Sequence, residues 1–228
     1  MSAVIISGGT IDGAFVEEQL EEARQQAERK GETLYIIAAD KGVECCLELG
    51  IVPDRIVGDF DSIDPSSKER METLGAEITY LRPEKDDTDS EAALQIAFQE
   101  SEGNIYFVGS TGTRLDHVMG NISILGQGPM HQRKIWMIDP HNKCYMLTAE
   151  EHHPACAVIR KEKQFGTYVS LIPVNGTAKG VTLEGMKYSL HDEDLPPFTS
   201  LGISNEVIGH VAKIRIKQGS LLVIEARD

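Results

Sequence analysis

The sequence predicts an α/β domain with a largely parallel sheet, followed by an all-β C-terminal region. Three observations carry this. Over the first ~140 residues short apolar runs alternate with stretches of helical composition, the pattern of parallel strand–helix–strand units. From about residue 143 the helical periodicity stops, and short strands separated by Gly, Asn and Pro take over. Between them the polar, proline-terminated string Glu150-Glu151-His152-His153-Pro154 places the linker, giving expected domains of 1–148 and 149–228.

Taken in order, strands are expected at 4–6, 34–38, 55–57, 77–81, 105–108 and 134–138, and helices at 15–29, 43–49, 65–74, 90–100 and 116–125. Thr88 can cap the helix that carries Asp89 and Glu91 in its first turn, while Gly31, Gly50, Gly75 and Gly103 stand where four helices should close. In the C-terminal region Ala212, Ile214 and Ile216 alternate with Lys213, Arg215 and Lys217, and Gln218-Gly219 then turns the chain into 221–225. That reads as a hairpin with one buried face.

Composition narrows the function. With 41% hydrophobic and 25% charged residues in 228, the chain can bury a core without disulfides or metals as staples. Lys plus Arg total 22 against 36 Asp plus Glu, and a net charge of −14 repels nucleic acid and anionic membranes, so neither is an expected partner. A phosphorylated substrate would need cations between it and these acids, which points to Mg²⁺. Of the four cysteines, Cys45 and Cys46 are adjacent in a helical stretch, a poor geometry for a mutual disulfide. All four are read as reduced, and no C-x-x-C supports zinc. The first residues lack the basic region of a signal peptide, and no apolar run approaches the ~20 residues that span a bilayer. A cytoplasmic location is expected.

Ligands of open α/β sheets bind beyond the carboxyl ends of the strands. Those ends carry Ser7-Gly8-Gly9-Thr10, Asp40-Lys41-Gly42, Gly58-Asp59-Phe60-Asp61-Ser62, Lys85-Asp86-Asp87-Thr88-Asp89 and Gly109-Ser110-Thr111-Gly112-Thr113-Arg114. A parallel sheet puts all five on one rim. Asp59 and Asp61 are two apart, and in an extended chain both carboxylates point to the same side. Like charges about 4 Å apart repel by roughly 4 kcal/mol at an effective dielectric near 20, so a shared Mg²⁺ is expected, supplemented by Asp89 or Asp40. Asp86, Asp87 and Asp89 surround a helix start beside Lys85, which suits either capping or metal and phosphate work; Asp89 is the preferred ligand. Gly109-Ser110-Thr111-Gly112 lets the backbone approach a ligand, and the planar fork of Arg114 suits phosphate oxygens. Asp116 can fix a neighbouring Arg or a ribose hydroxyl, or simply cap its helix with a solvated salt bridge. There is no Walker loop and no protein-kinase signature. The residues point to a Mg²⁺-dependent phosphoryl-group transferase.

With these strings in order, the chain resembles the thiamine pyrophosphokinase family over nearly its whole length. The motifs are Ala39-Asp40-Lys41-Gly42, Gly58-Asp59-Phe60-Asp61-Ser62, Lys85-Asp86-Asp87-Thr88-Asp89, Gly112-Thr113-Arg114-Leu115-Asp116-His117 with Asn121, and Gly202-Ile203-Ser204-Asn205-Glu206. The resemblance implies an α/β catalytic domain followed by a β-sandwich thiamine-binding domain. It also implies transfer of a pyrophosphoryl group from ATP to the hydroxyethyl arm of thiamine, release of AMP, and a homodimer with active sites between subunits. By motif match Asp59, Asp61 and Asp89 would hold Mg²⁺ and, with Arg114, carry catalysis. Asp40, Lys85, Asp86, Gly109, Arg114, Asp116, His117 and Asn121 would face ATP and its metal. Ser204 and Asn205 match the thiamine-contacting motif, and Tyr188 stands near where the family often places an aromatic, a suitable face for a cationic thiazolium. Two rival functions share the acidic rim: a pyrophosphokinase for another alcohol, such as a hydroxymethylpterin, and a non-catalytic Mg-ATP sensor.

Overall fold

The computed structural model describes residues 1–84 and 86–228, and it divides into two units, Met1–Pro140 and His141–Asp228. The division falls earlier than the polar string suggested. Residues 142–149, placed by composition in the first domain, form a strand that pairs along its length with the last strand of the chain. Backbone pairing rather than polarity decides where such a segment belongs.

In the first unit the strands are β1 (Ser2–Ile6), β2 (Leu34–Ala39), β3 (Arg55–Gly58), β4 (Glu77–Tyr80), β5 (Ile105–Val108) and β6 (Ile135–Ile138), all parallel, in the order β4-β3-β2-β1-β5-β6. Every residue of β1 is buried, as a central strand covered on both faces requires. The helices are α1 (Gly13–Glu28), α2 (Gly42–Leu49), α3 (Pro65–Met71), α4 (Asp89–Glu100), α5 (Leu115–Ile124) and the short α6 (Gln127–Met130). In α1 the side chains of Val16, Leu20, Ala23 and Ala27 recur at helical spacing and are buried. Thr88 caps α4 as expected, accepting from the Glu91 N–H at 3.2 Å. Gly31, Gly50 and Gly75 adopt left-handed φ beyond α1, α2 and α3. Gly103 does not: α4 ends at Ser101 in an extended conformation, and Gly103 instead donates to the Met1 carbonyl at 2.8 Å.

Because β1 has β2 on one side and β5 on the other, the strand order reverses at β1. The loops after β1 and β5 therefore meet at a topological switch point, where such sheets open a crevice.

The second unit contains β7 (Asn142–Ala149), β8 (Ala155–Arg160), β9 (Tyr168–Glu184), β10 (Leu190–Leu195), β11 (Asn205–Glu206), β12 (Val211–Ile216) and β13 (Gln218–Ala226), all antiparallel where they pair. The expected hairpin is not formed. β12 pairs with β8 and β9, whereas β13 pairs with β7 and β9, so the turn at Gln218-Gly219 carries the chain from one ladder to another. The 17-residue β9 serves both, pairing with β13 over Tyr168 to Val174 and with β12 over Thr182 to Glu184. Strands that change ladder in this way make the corners of sandwiches. The buried face of β12 is as predicted, with Ala212, Ile214 and Ile216 inaccessible. Among the described residues no helix is long and apolar enough to cross a membrane.

Candidate active site

A cavity of about 520 Å³ opens at the carboxyl ends of β1, β2, β3 and β5. Each of the five strand-end strings contributes to it: residues 7–10, Asp40 with Lys41, Asp59 with Ser62, residues 88–90 and residues 109–114, joined by His117, Val118 and Asn121 of α5. The loops after β1 and β5 are laced together, since Gly9 donates to the Gly109 carbonyl at 2.8 Å and Thr10 to that of Thr111 at 2.7 Å. A Cβ at Gly9 would lie 2.1 Å from the Thr111 oxygen, so only glycine permits this approach. Buried Asn121 donates its amide to the Ser110 carbonyl at 2.7 Å, fixing the second loop from α5.

Three carboxylates converge in the cavity. Asp40, Asp59 and Asp89 each offer an oxygen, all within 4.8 Å of one another. Asp40 has φ +48°, and its Oδ2 accepts from the Ser62 hydroxyl at 2.9 Å. Its Oδ1 is buried with no hydrogen-bond partner among the described residues. Buried acceptors are rarely left so, and an all-oxygen cluster with an unpartnered carboxylate oxygen fits a hard divalent cation. Beside it the hydroxyls of Ser7 and Ser90 lie 3.1 Å apart, tying the end of β1 to the first turn of α4 next to Asp89.

Asp61 is not brought into this group. Phe60 sits at φ +56° with its ring buried and edge-on to Tyr80, centroids 5.4 Å apart. The chain is therefore turned rather than extended at Phe60, and the alternation that would align Asp59 with Asp61 does not apply. Asp61 donates its backbone N–H to Asp59 Oδ1 at 3.2 Å and stays exposed, while Asp40 fills the third place. Asp86 is exposed outside the cavity lining, and Lys85 lies outside the described residues.

Arg114 and Asp116 are joined by two bonds, Nε to Oδ1 at 3.2 Å and Nη2 to Oδ2 at 2.6 Å. The guanidinium bond holds the Asp116 carboxyl down to about 2, and the same bond raises Arg114. Of the roles open to Asp116, the geometry shows the pairing with Arg114, an exposed ion pair at the helix start. Lys41, Ser62 and Ser90 line the cavity without having been singled out from sequence. Their positions after strand ends were visible, but nothing in their residue types set them apart.

In the second unit Tyr188, Ser204 and Asn205 come together. Buried Asn205 donates Nδ2 to the Tyr188 carbonyl at 2.8 Å and accepts the Tyr188 N–H at 3.0 Å on Oδ1, which also takes the Glu206 N–H at 2.9 Å. Its amide thus holds the backbone at Tyr188, a residue that is 62% exposed. Ser204 has φ +58° and donates its backbone N–H to the Ser170 hydroxyl at 3.0 Å, leaving its own side chain at the surface. Lys187 Nζ lies 5.8 Å from the Tyr188 ring centroid and 2.6 Å from Glu206 Oε1.

Both units match known proteins. Residues 28–137 match the family model for the thiamin pyrophosphokinase catalytic domain, and residues 156–221 that for the thiamin pyrophosphokinase vitamin B1 binding domain. A thiamine pyrophosphokinase of Bacillus subtilis strain 168 is 34% identical over 196 residues, covering 86% of this chain and 88% of that protein. A crystal structure of the Bacillus subtilis enzyme superposes with a TM-score of 0.85 at 30% identity over the whole of both chains. One of a Geobacillus thermodenitrificans thiamin pyrophosphokinase gives 0.81 at 27% identity, covering 100% of this chain and 98% of the other. On sequence, on the order of its domains and on fold, the chain belongs to the thiamine pyrophosphokinase family.

Proposed function

We propose that this protein transfers the pyrophosphoryl group of ATP to the hydroxyethyl group of thiamine, giving thiamine diphosphate and AMP. The observation that carries the reading is the rim cavity, in which three carboxylates face glycine-rich backbone, in a chain whose two units match the catalytic and vitamin B1 binding domains of one family. A pterin pyrophosphokinase or a silent nucleotide sensor is not favoured by that match.

In this reading Asp40, Asp59 and Asp89 hold Mg²⁺, supported by their convergence and by the unpartnered Asp40 oxygen. The ion, when bound, neutralises charge on phosphate oxygens. Residues 7–10 and 109–112 present backbone to the phosphates, and Arg114, aligned by Asp116, offers its planar donors to them. Asp61, exposed and beside the cluster, is available to orient the acceptor hydroxyl. Transfer of this kind is mostly positioning and charge neutralisation, so no covalent nucleophile is required of the protein. Tyr188 offers the thiazolium an aromatic face, and Asn205 positions Tyr188 rather than contacting thiamine through its amide.

The protein works as a homodimer in this reading. Leu115 and Met119, one turn apart on α5 and 74% and 56% exposed, form an apolar face that a second copy would cover. Four free cysteines suit a reducing compartment such as the cytoplasm.

The test is to incubate the protein with Mg²⁺, ATP and thiamine and to separate nucleotides and thiamine esters. Thiamine-dependent AMP together with thiamine diphosphate is expected. ADP as the nucleotide product, or AMP release indifferent to thiamine, would refute the reading.

A further inference from the structure

The five longer helices of the first unit begin in one of two ways. α1, α3 and α4 are capped by Asp12, Asp64 and Thr88, each of whose side chains accepts a backbone N–H. α2 begins at Lys41 with no side-chain cap. A cation is the wrong charge for a helix N-terminus, where unpaired N–H groups and the helix dipole favour anions and where Ser, Thr, Asp and Asn are the stabilising residues. The remaining long helix, α5, also starts with a cation and no side-chain cap, at Arg114. Both of these uncapped, cationic helix starts line the rim cavity.

The two cations differ in one respect. Arg114 is engaged by Asp116, which offsets its charge. Lys41 is exposed at the cavity and, like several other surface cations, has no ion-pair partner among the described residues. The loop after β1 also lies close against Lys41. A Cβ on Gly8 would stand 2.6 Å from the Lys41 Cβ, so this close approach to residue 41 requires glycine at residue 8.

We propose that Lys41 is a substrate-contacting residue that binds the polyphosphate of the nucleotide. The assignment rests on the reading of ATP as the donor. An uncapped helix start bearing a free ammonium is a complement for phosphate oxygens. Lys41 is adjacent in sequence to Asp40, so the polyphosphate is met by cation-holding carboxylates and by a fixed positive charge from one two-residue segment after β2.

The experiment compares wild type, Lys41→Ser and Lys41→Arg. Serine keeps the Cβ beside Gly8 and removes the charge and the long stem. For Lys41→Ser the KM for MgATP is expected to rise by on the order of 10- to 100-fold, the usual worth of one charge-assisted hydrogen bond. Adenosine, which lacks phosphates, should bind as before, the ligand-free Tm should hold or rise, and Lys41→Arg should recover most of the MgATP affinity. Unchanged affinity for MgATP, equal losses for MgATP and adenosine, or a lowered Tm in Lys41→Ser would overturn the assignment. If wild type forms no AMP with thiamine, the proposed reaction fails instead. Calorimetric titration with inorganic tripolyphosphate then still decides the role of Lys41: weaker binding by Lys41→Ser supports it and equal binding overturns it.

Discussion

At Asp40 a left-handed backbone, a serine hydroxyl and an unpartnered oxygen coincide. Non-glycine residues at positive φ persist where surrounding structure over-determines them, and Asp40 and Phe60 both do so at the edge of the cavity. The motif made Asp59 and Asp61 the natural pair; the turn at Phe60 substitutes Asp40 for Asp61 in the cluster. Asp40→Asn should therefore weaken Mg²⁺ binding by roughly tenfold or more, and Asp61→Asn by much less, in direct calorimetric titrations. Equal losses would return Asp61 to the cation site. At Asp116 the folded carboxyl lies below its usual value of about 3.9, held near 2 by Arg114. A lowered carboxylate contributes above its unfolded pKa and loses that contribution as pH falls through the folded one. The Arg114–Asp116 pair should accordingly stay intact at neutral pH and open only between about pH 4 and pH 2. An NMR titration of the Asp116 carboxyl would reveal this, and a midpoint near 4 would contradict it.

Among elements, the Thr88 cap, three of the four glycine helix ends and the buried face of β12 were readable, and the strand partners were not. Thr88 before Asp89 and the alternation of Ala212, Ile214 and Ile216 are local patterns, and both hold. That β12 and β13 join different ladders depends on the long β9, whose role no window of sequence around Gln218-Gly219 contains. The same limit applies to Asn205, which matched a ligand-contact motif but uses its amide on the backbone of Tyr188, 17 residues away. Asn205→Ala leaves a backbone donor and acceptor at Tyr188 without these partners, and it should cost about 1–3 kcal/mol in denaturant unfolding. A thiamine KM that rises together with this loss would fit a positioning role, whereas a raised KM at unchanged stability would indicate direct contact.

For the molecule as a whole, a net charge of −14 sets which anions it can meet, and only with cations interposed. The described cavity supplies them in the two forms that composition could not distinguish, a carboxylate cluster that suits a metal ion and cationic side chains at helix starts. Assembly belongs to this scale too. Sedimentation should give twice the chain mass for wild type, and Leu115→Lys with Met119→Lys should shift it toward the monomer. A wild-type monomer, or a double variant that stays dimeric, would remove α5 from the interface.

The order of strands and longer helices over the first ~140 residues, the strand-end position of the acidic strings and the family resemblance were determined by the sequence, because periodicity, end signals and short motifs are local. Which carboxylates converge, which strands pair and where the two units divide were decided by the tertiary structure. Each turns on a backbone event or a distant partner: left-handed turns at Asp40 and Phe60, a shared β9, and a β7 that belongs with β13. Local sequence fixes what a residue can offer; the fold's hydrogen bonds and turns fix what it is offered to.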